Sequence, residues 1–143
     1  GTDHVPSSLE KKYSNGDGVF DALYGFPSVG SLLPIMITEG HLKRGLPLER
    51  IAEITSYELA ESFNLPSKGR IEIGADADFA IVDITKKEVV TPERMHSVSD
   101  YSVFEGTEAA GWPVYTISRG EMIVENGQPV KEYGRGKYIR RSI

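Results

Sequence analysis

An aspartate and a histidine stand side by side in "GTDHVPSSLEKK", and Asp3 and His4 are the first side chains able to hold a cation or move a proton. Read alone, Asp3 is first a turn-capping residue, because an Asx side chain hydrogen-bonds the backbone of a Pro-Ser-Ser turn such as the one that follows. A metal or acid/base centre needs further ligands. The other two histidines, His41 and His96, lie far along the chain, with neither the His-x-His nor the His-x-x-x-His spacing that sets two imidazoles on one ion. A second carboxylate pair, Asp76 and Asp78, has no third ligand nearby, and Gly69 and Gly74 mark turns whose backbone those aspartates can hydrogen-bond. By itself this chain is expected to close no catalytic metal site.

Composition excludes several function classes. A net charge of -5 opposes binding to nucleic acid or to an anionic membrane surface. Basic residues gather only in the closing "YGRGKYIRR", which reads as a solvated tail. Without cysteine there is no disulfide framework and no thiolate chemistry, which leans toward a reducing cytoplasm. No apolar run approaches the roughly 18 residues of a membrane span, and no signal-peptide pattern is present. The 143 residues, 39% apolar, suffice for one ordinary domain or two small ones of a soluble globular class.

The elements that must position these side chains change character near residue 65. From Ser28 to Phe63 apolar residues recur at helical spacing: Leu32, Leu33, Ile35, Met36 and Ile37, then Leu48, Ile51, Ala52 and Ile54, then Leu59, Ala60 and Phe63. Pro34 is tolerated only in a first turn, so its helix should start close to Ser31; Gly40 and Gly45 mark the next break, Pro47 fits a first turn, and Ser56 fits an N-cap. Beyond "NLPSKG" β-branched residues take over. "RIEIG" alternates, "FAIVDI" has the continuous pattern of a buried strand, and "PVYTISRGEMIVENGQPV" reads as strands joined at Arg119-Gly120, with a further turn at Asn126-Gly127. Trp112 beside Pro113 reads as packing at a strand entrance. Residues 1–64 hold three amphipathic helices and no convincing strand, so their apolar stripes need a cover, either the β-rich half or the rest of a larger molecule.

Several stretches, in order, carry a resemblance: "GTDHVPSSLEKK", "LYGFPSVGSLLPIMITEG", "ITSYELAESFNL", "KGRIEIGADADFAIVD", "DYSVFEG", "ISRGEMIVENGQ" and "YGRGKYIRR". Together they resemble the hydantoinase, dihydropyrimidinase and allantoinase branch of the amidohydrolase superfamily. The resemblance implies an α/β fold with a β-rich second half: the C-terminal end of a (β/α)8 metal-dependent hydrolase barrel over 1–64, followed by a small composite β-sandwich with its tail over 65–143. It implies that the chain starts where the eighth barrel strand ends, that Asp3 ligates one metal of a zinc pair and accepts a proton as general base, and that Val5, Ser7, Tyr24 and Gly25 border the substrate pocket.

Hydantoinases often carry Asn-Gly where this chain has Tyr24-Gly25, and "FPSVGSLLP" is closer to allantoinases, so the ring that would be opened stays undetermined among hydantoin, dihydropyrimidine and allantoin types. The remaining zinc ligands of the family precede the position of Asp3, and the isolated chain is therefore expected to be inactive. The resemblance further implies a cytoplasmic homo-oligomer, dimer or tetramer, joined through the C-terminal region. A non-catalytic scaffold related to dihydropyrimidinase is the alternative, although a scaffold has no physical need for a carboxylate at position 3.

Overall fold

The computed structural model describes residues 1–16, 18–131 and 134–141. A short helix α1 (Leu9–Lys12) follows the opening loop, its Ser8 side chain accepting the Lys11 N–H at 3.2 Å as a cap. A 3-10 turn at Val29–Ser31 leads into α2 (Leu32–Ile35), which continues as a π-wound segment, Met36–Leu42. Pro34 thus falls in the first turn, where its missing N–H costs no helical bond. The break comes at Gly45 (φ +70°), whose N–H reaches the His41 carbonyl, while Gly40 lies within the π segment.

A second continuous stretch runs through α3 (Leu48–Ala52), a π segment (Glu53–Tyr57) and α4 (Glu58–Ser62). Ser56 is therefore no N-cap. The winding starts at Pro47, whose carbonyl accepts from Arg50 and Ile51, and a wider π turn carries it past position 56 without a break.

Four antiparallel strands form a meander in the order β1 (Phe79–Val89), β2 (Glu108–Ser118), β3 (Glu121–Glu125) and β4 (Gln128–Pro129). The turns fall at Arg119-Gly120 and Asn126-Gly127 as the sequence suggests, with positive φ at both residues of each, the geometry that matches strand twist. Strand β2 begins earlier than its sequence suggests, at Glu108, and tolerates Pro113 because the pairing shifts there: Ile81 opposes Tyr115 while Val82 opposes Pro113. "RIEIG" forms turns instead of a strand, leaving Ile71 (87%) and Ile73 (107%) exposed. β1 is an edge strand rather than a buried one, with Ile81 and Ile84 partly open to solvent, because among the described residues its only strand partner is β2.

The core lies where the first helical stretch crosses β2. Val90, Met95, Ala109 and Trp112 cluster there, with Ile35 and Phe104 packed against them. Trp112 is buried, as expected, and its indole N–H donates to the Ala109 carbonyl. Gly111 (φ +83°) permits the approach, since a Cβ there would meet the Ile37 side chain at 2.5 Å. Beside it Thr38 Oγ1 accepts the Ala110 N–H at 2.8 Å, so the helical stretch and the sheet share a polar as well as an apolar joint.

A charged knot ties the segment before β1 to the hairpin end. Lys68 Nζ lies between Asp76 Oδ2, at 2.9 Å, and Asp78 Oδ2. Asp78 Oδ1 accepts the Arg119 N–H at 2.7 Å, and Gly120 N–H donates to the Ala77 carbonyl. The paired aspartates thus do turn and ion-pair work, with an ammonium where a metal would have to sit. The Lys68 hydrogen bond, then that of Ser67, holds the Asp76 carboxyl below its ordinary range. At Asp78 burial is the largest influence and pushes upward, but the Lys68 ammonium and the Arg119 N–H together outweigh it and the net shift is downward. Burial likewise opposes the charge on Lys68, yet its two carboxylate partners raise it overall.

Lowered carboxyl values mean stability that is fully present above the ordinary carboxylate range and lost as pH falls through the folded-state values; the raised lysine contributes below its ordinary range and is lost at high pH. Replacing Lys68→Met should therefore flatten the acid limb of stability. Urea midpoints measured from pH 6 to pH 2 should fall less steeply for the variant, whereas parallel curves would remove the knot from the account.

Candidate functional site

Asp3 sits on a loop closed by its neighbours. Thr2 O accepts the Ser28 hydroxyl at 3.0 Å, and Val5 N–H donates to Phe26 O at 3.1 Å, flanking a parallel bridge between His4 and Phe26. Between them His4 Nδ1 accepts two backbone N–H groups, from Ser28 at 2.9 Å and Val29 at 3.2 Å. A ring nitrogen that accepts carries no proton, so the neutral imidazole bears its hydrogen on Nε2 and offers no lone pair there. His4 is thereby a structural staple and not a metal ligand while this arrangement holds.

Asp3 itself has φ +48° and an exposed side chain. Asp is among the few residues that enter the left-handed region readily, so a carboxylate can be displayed at this tight loop with little strain. Past the loop, Ser7 N–H donates to Ser99 Oγ at 3.1 Å and Leu9 N–H to Asp100 Oδ1 at 2.9 Å, which anchors the loop to the segment that follows the core residue Met95.

Val5, Ser7, Tyr24 and Gly25 are not all equivalent in this frame. Val5 packs on Gly25 so closely that a Cβ at Gly25 (φ +83°) would stand 2.5 Å from the Val5 side chain. Tyr24 is 92% exposed, on a strap bordered by the exposed Val19 and Phe20. Ser7 is half-buried and its backbone is engaged with Ser99. The structure therefore packs Val5 against Gly25, with Asp3 two residues before Val5 on the loop and Tyr24 on the adjoining strap. Lys12 and Ser28, which hold this assembly, carry no local sequence signal because their partners are loop carbonyls and ring nitrogens distant in sequence.

Among the described residues no group of three or more His, Cys, Asp or Glu side chains could hold a metal ion. His41 Nδ1 bonds the Leu46 carbonyl and His96 Nε2 the Gly127 carbonyl. At this loop an open carboxylate stands on a stapled backbone, and a carboxylate oxygen is a ligand type that divalent zinc accepts.

Residues 1–123 match the Amidohydrolase family. An allantoinase of Rubrobacter xylanophilus is 37% identical over 97% of this chain and 30% of its own length, and a dihydroorotase of Methanothermobacter thermautotrophicus is 35% identical over 97% and 31%. The crystal structure of a D-hydantoinase (dihydropyrimidinase) from Thermus sp. superposes with a TM-score of 0.91 at 32% identity, covering 99% of this chain and 31% of that one. The chain belongs to the amidohydrolase family, and it spans about a third of the length of the relatives it matches.

The Gly25–Val5 contact yields a direct test. Gly25→Ala should destabilise the chain by about 1–3 kcal/mol through positive-φ strain and the clash with Val5. In a Val5→Gly background the cost should shrink to the strain alone, so denaturant midpoints of the cycle should be non-additive. Additive midpoints would contradict the close packing.

Proposed function

We propose that the chain is the C-terminal part of a longer metal-dependent cyclic amidohydrolase, with 1–64 closing a (β/α)8 barrel and 65–143 forming one sheet of a small composite β-sandwich. Support comes from the family match and from one structural observation: an exposed carboxylate, Asp3, displayed on a loop whose own histidine is occupied in holding it. The open face of β1 and the bare Ile71 and Ile73 suit a sheet completed by residues outside the chain. No described helix is long and apolar enough to cross a membrane.

In this reading Asp3 is one ligand of a binuclear zinc site whose other ligands lie outside the chain. When bound, the cations supply a water acidic enough to attack a ring carbonyl at neutral pH. Asp3 would take the proton released when a water adds to the ring carbonyl and would deliver it to the ring nitrogen as the C–N bond breaks, so that this nitrogen leaves as the NH2 of a carbamoyl group and the carbonyl carbon becomes a carboxylate. Val5 and Gly25 wall the position beside Asp3, Ser7 tethers the far end of the loop, and Tyr24 faces outward where a ring substituent would lie.

The substrate is a cyclic amide of hydantoin, dihydropyrimidine or allantoin type, and the relative named dihydroorotase adds a fourth ring of the same chemistry. The exposed tail over 134–141, with Tyr138 open to solvent, suits a contact between copies in a dimer or tetramer. Tyr133, the first residue of that basic stretch, lies outside the described residues.

Asp3→Asn isolates the proposed chemistry, because Asn also tolerates a left-handed backbone and so keeps the loop. In the longer enzyme this change should lower kcat on the best cyclic amide by about 10³-fold, the scale of a lost general base. A variant that keeps near wild-type turnover would remove Asp3 from the reaction.

A further inference from the structure

Lys12 ends the four-residue helix α1, and its side chain is only partly exposed, whereas the neighbouring Lys11 is open to water. Its ammonium donates to the Leu23 carbonyl at 2.8 Å and to the Gly25 carbonyl at 2.7 Å, while its own carbonyl accepts the Leu23 N–H at 2.9 Å. One residue thus grips the strap 23–25 from both its backbone and its side chain. Tyr24, between the two gripped carbonyls, keeps 92% of its surface exposed, and Gly25 is pressed against Val5, two residues from Asp3.

We propose that Lys12 is a positioning residue that sets the Tyr24 strap against the Asp3 loop and so fixes where Tyr24 stands relative to Asp3. The inference rests on the reading of Asp3 and Tyr24 given above, but the clamp itself is a property of this chain. Hydrogen bonds from a charged donor are among the stronger ones, and partial burial spares them from competition with water. A cation is suited to the task because carbonyls two residues apart need one group with several donors. Arginine can supply those donors; methionine of similar length supplies none. The strap has few other anchors: the Val5–Phe26 bond and the Ser28 contacts begin only after Gly25.

The test has a structural arm and a kinetic arm. In the 143-residue chain, amide hydrogen exchange of Lys12→Met should accelerate on residues 22–26 and at Val5 by at least about tenfold, with β2 and β3 unchanged as the internal control. Should Lys12→Met fail to fold, nitrogen NMR on the unaltered chain serves instead, with slowed exchange of the Lys12 ammonium relative to Lys11 expected. An ammonium as mobile as that of Lys11, or exchange at 22–26 unaltered in a folded variant, overturns the clamp.

In the longer enzyme Lys12→Met should raise KM for substituted cyclic amides by about 10- to 100-fold, the scale of a displaced contact, with a much smaller change in kcat. Lys12→Arg should restore most of the loss. A fall in kcat with KM unchanged, or no rescue by arginine, overturns the positioning role. If the unaltered enzyme opens no cyclic amide, the functional reading fails by itself while the exchange arm still decides the clamp.

Discussion

One imidazole nitrogen governs how Asp3 is displayed. His4 Nδ1 receives the N–H groups of Ser28 and Val29, and without it those two donors, at the entry to the Val29–Ser31 turn, would lose their partner. The opening loop and the start of the helical stretch are thereby one unit. Thr2, Val5, Ser28 and Phe26 add bonds on either side of the same nitrogen, so the backbone around Asp3 is fixed without using the carboxylate. Among the described residues the Asp3 carboxylate takes no part in its own loop's bonding, which leaves it open to a ligand.

That unit depends in turn on the joint between helix and sheet. The helical stretch that begins at Val29 is pressed onto β2 where Gly111 admits Ile37 and where Thr38 bonds Ala110. The loop's other end reaches the same core through Ser99 and Asp100, just beyond Met95. Buried apolar contact supplies most of the cohesion here, and the polar bonds fix register. Within the β-rich half, the Lys68 knot ties the segment before β1 to the hairpin end.

Much of this was legible in the residues. The helical period over 28–63, the placement of Pro34, the two tight turns and the family resemblance all rest on local signals that the structure or the comparisons bear out. "RIEIG" misled because alternation identifies a strand only when a partner strand is present, and none pairs with it among the described residues. Ser56 misled because a π turn carries a helix through a residue that would otherwise cap one. The roles of His4 and Lys12 were not legible at all. Each is defined by backbone groups 11 to 25 residues away, and no local pattern records which carbonyl or amide a side chain will find.

We propose that this chain supplies one ligand, Asp3, to a metal site completed by residues outside it. Metal content by mass spectrometry on the purified 143-residue chain, beside the longer enzyme, tests that claim most directly. No stoichiometric zinc is expected on the chain, and about two zinc ions per longer enzyme, the count of a binuclear site. Stoichiometric zinc on the isolated chain would contradict it, since the chain or a dimer of it would then assemble a complete site from its own residues.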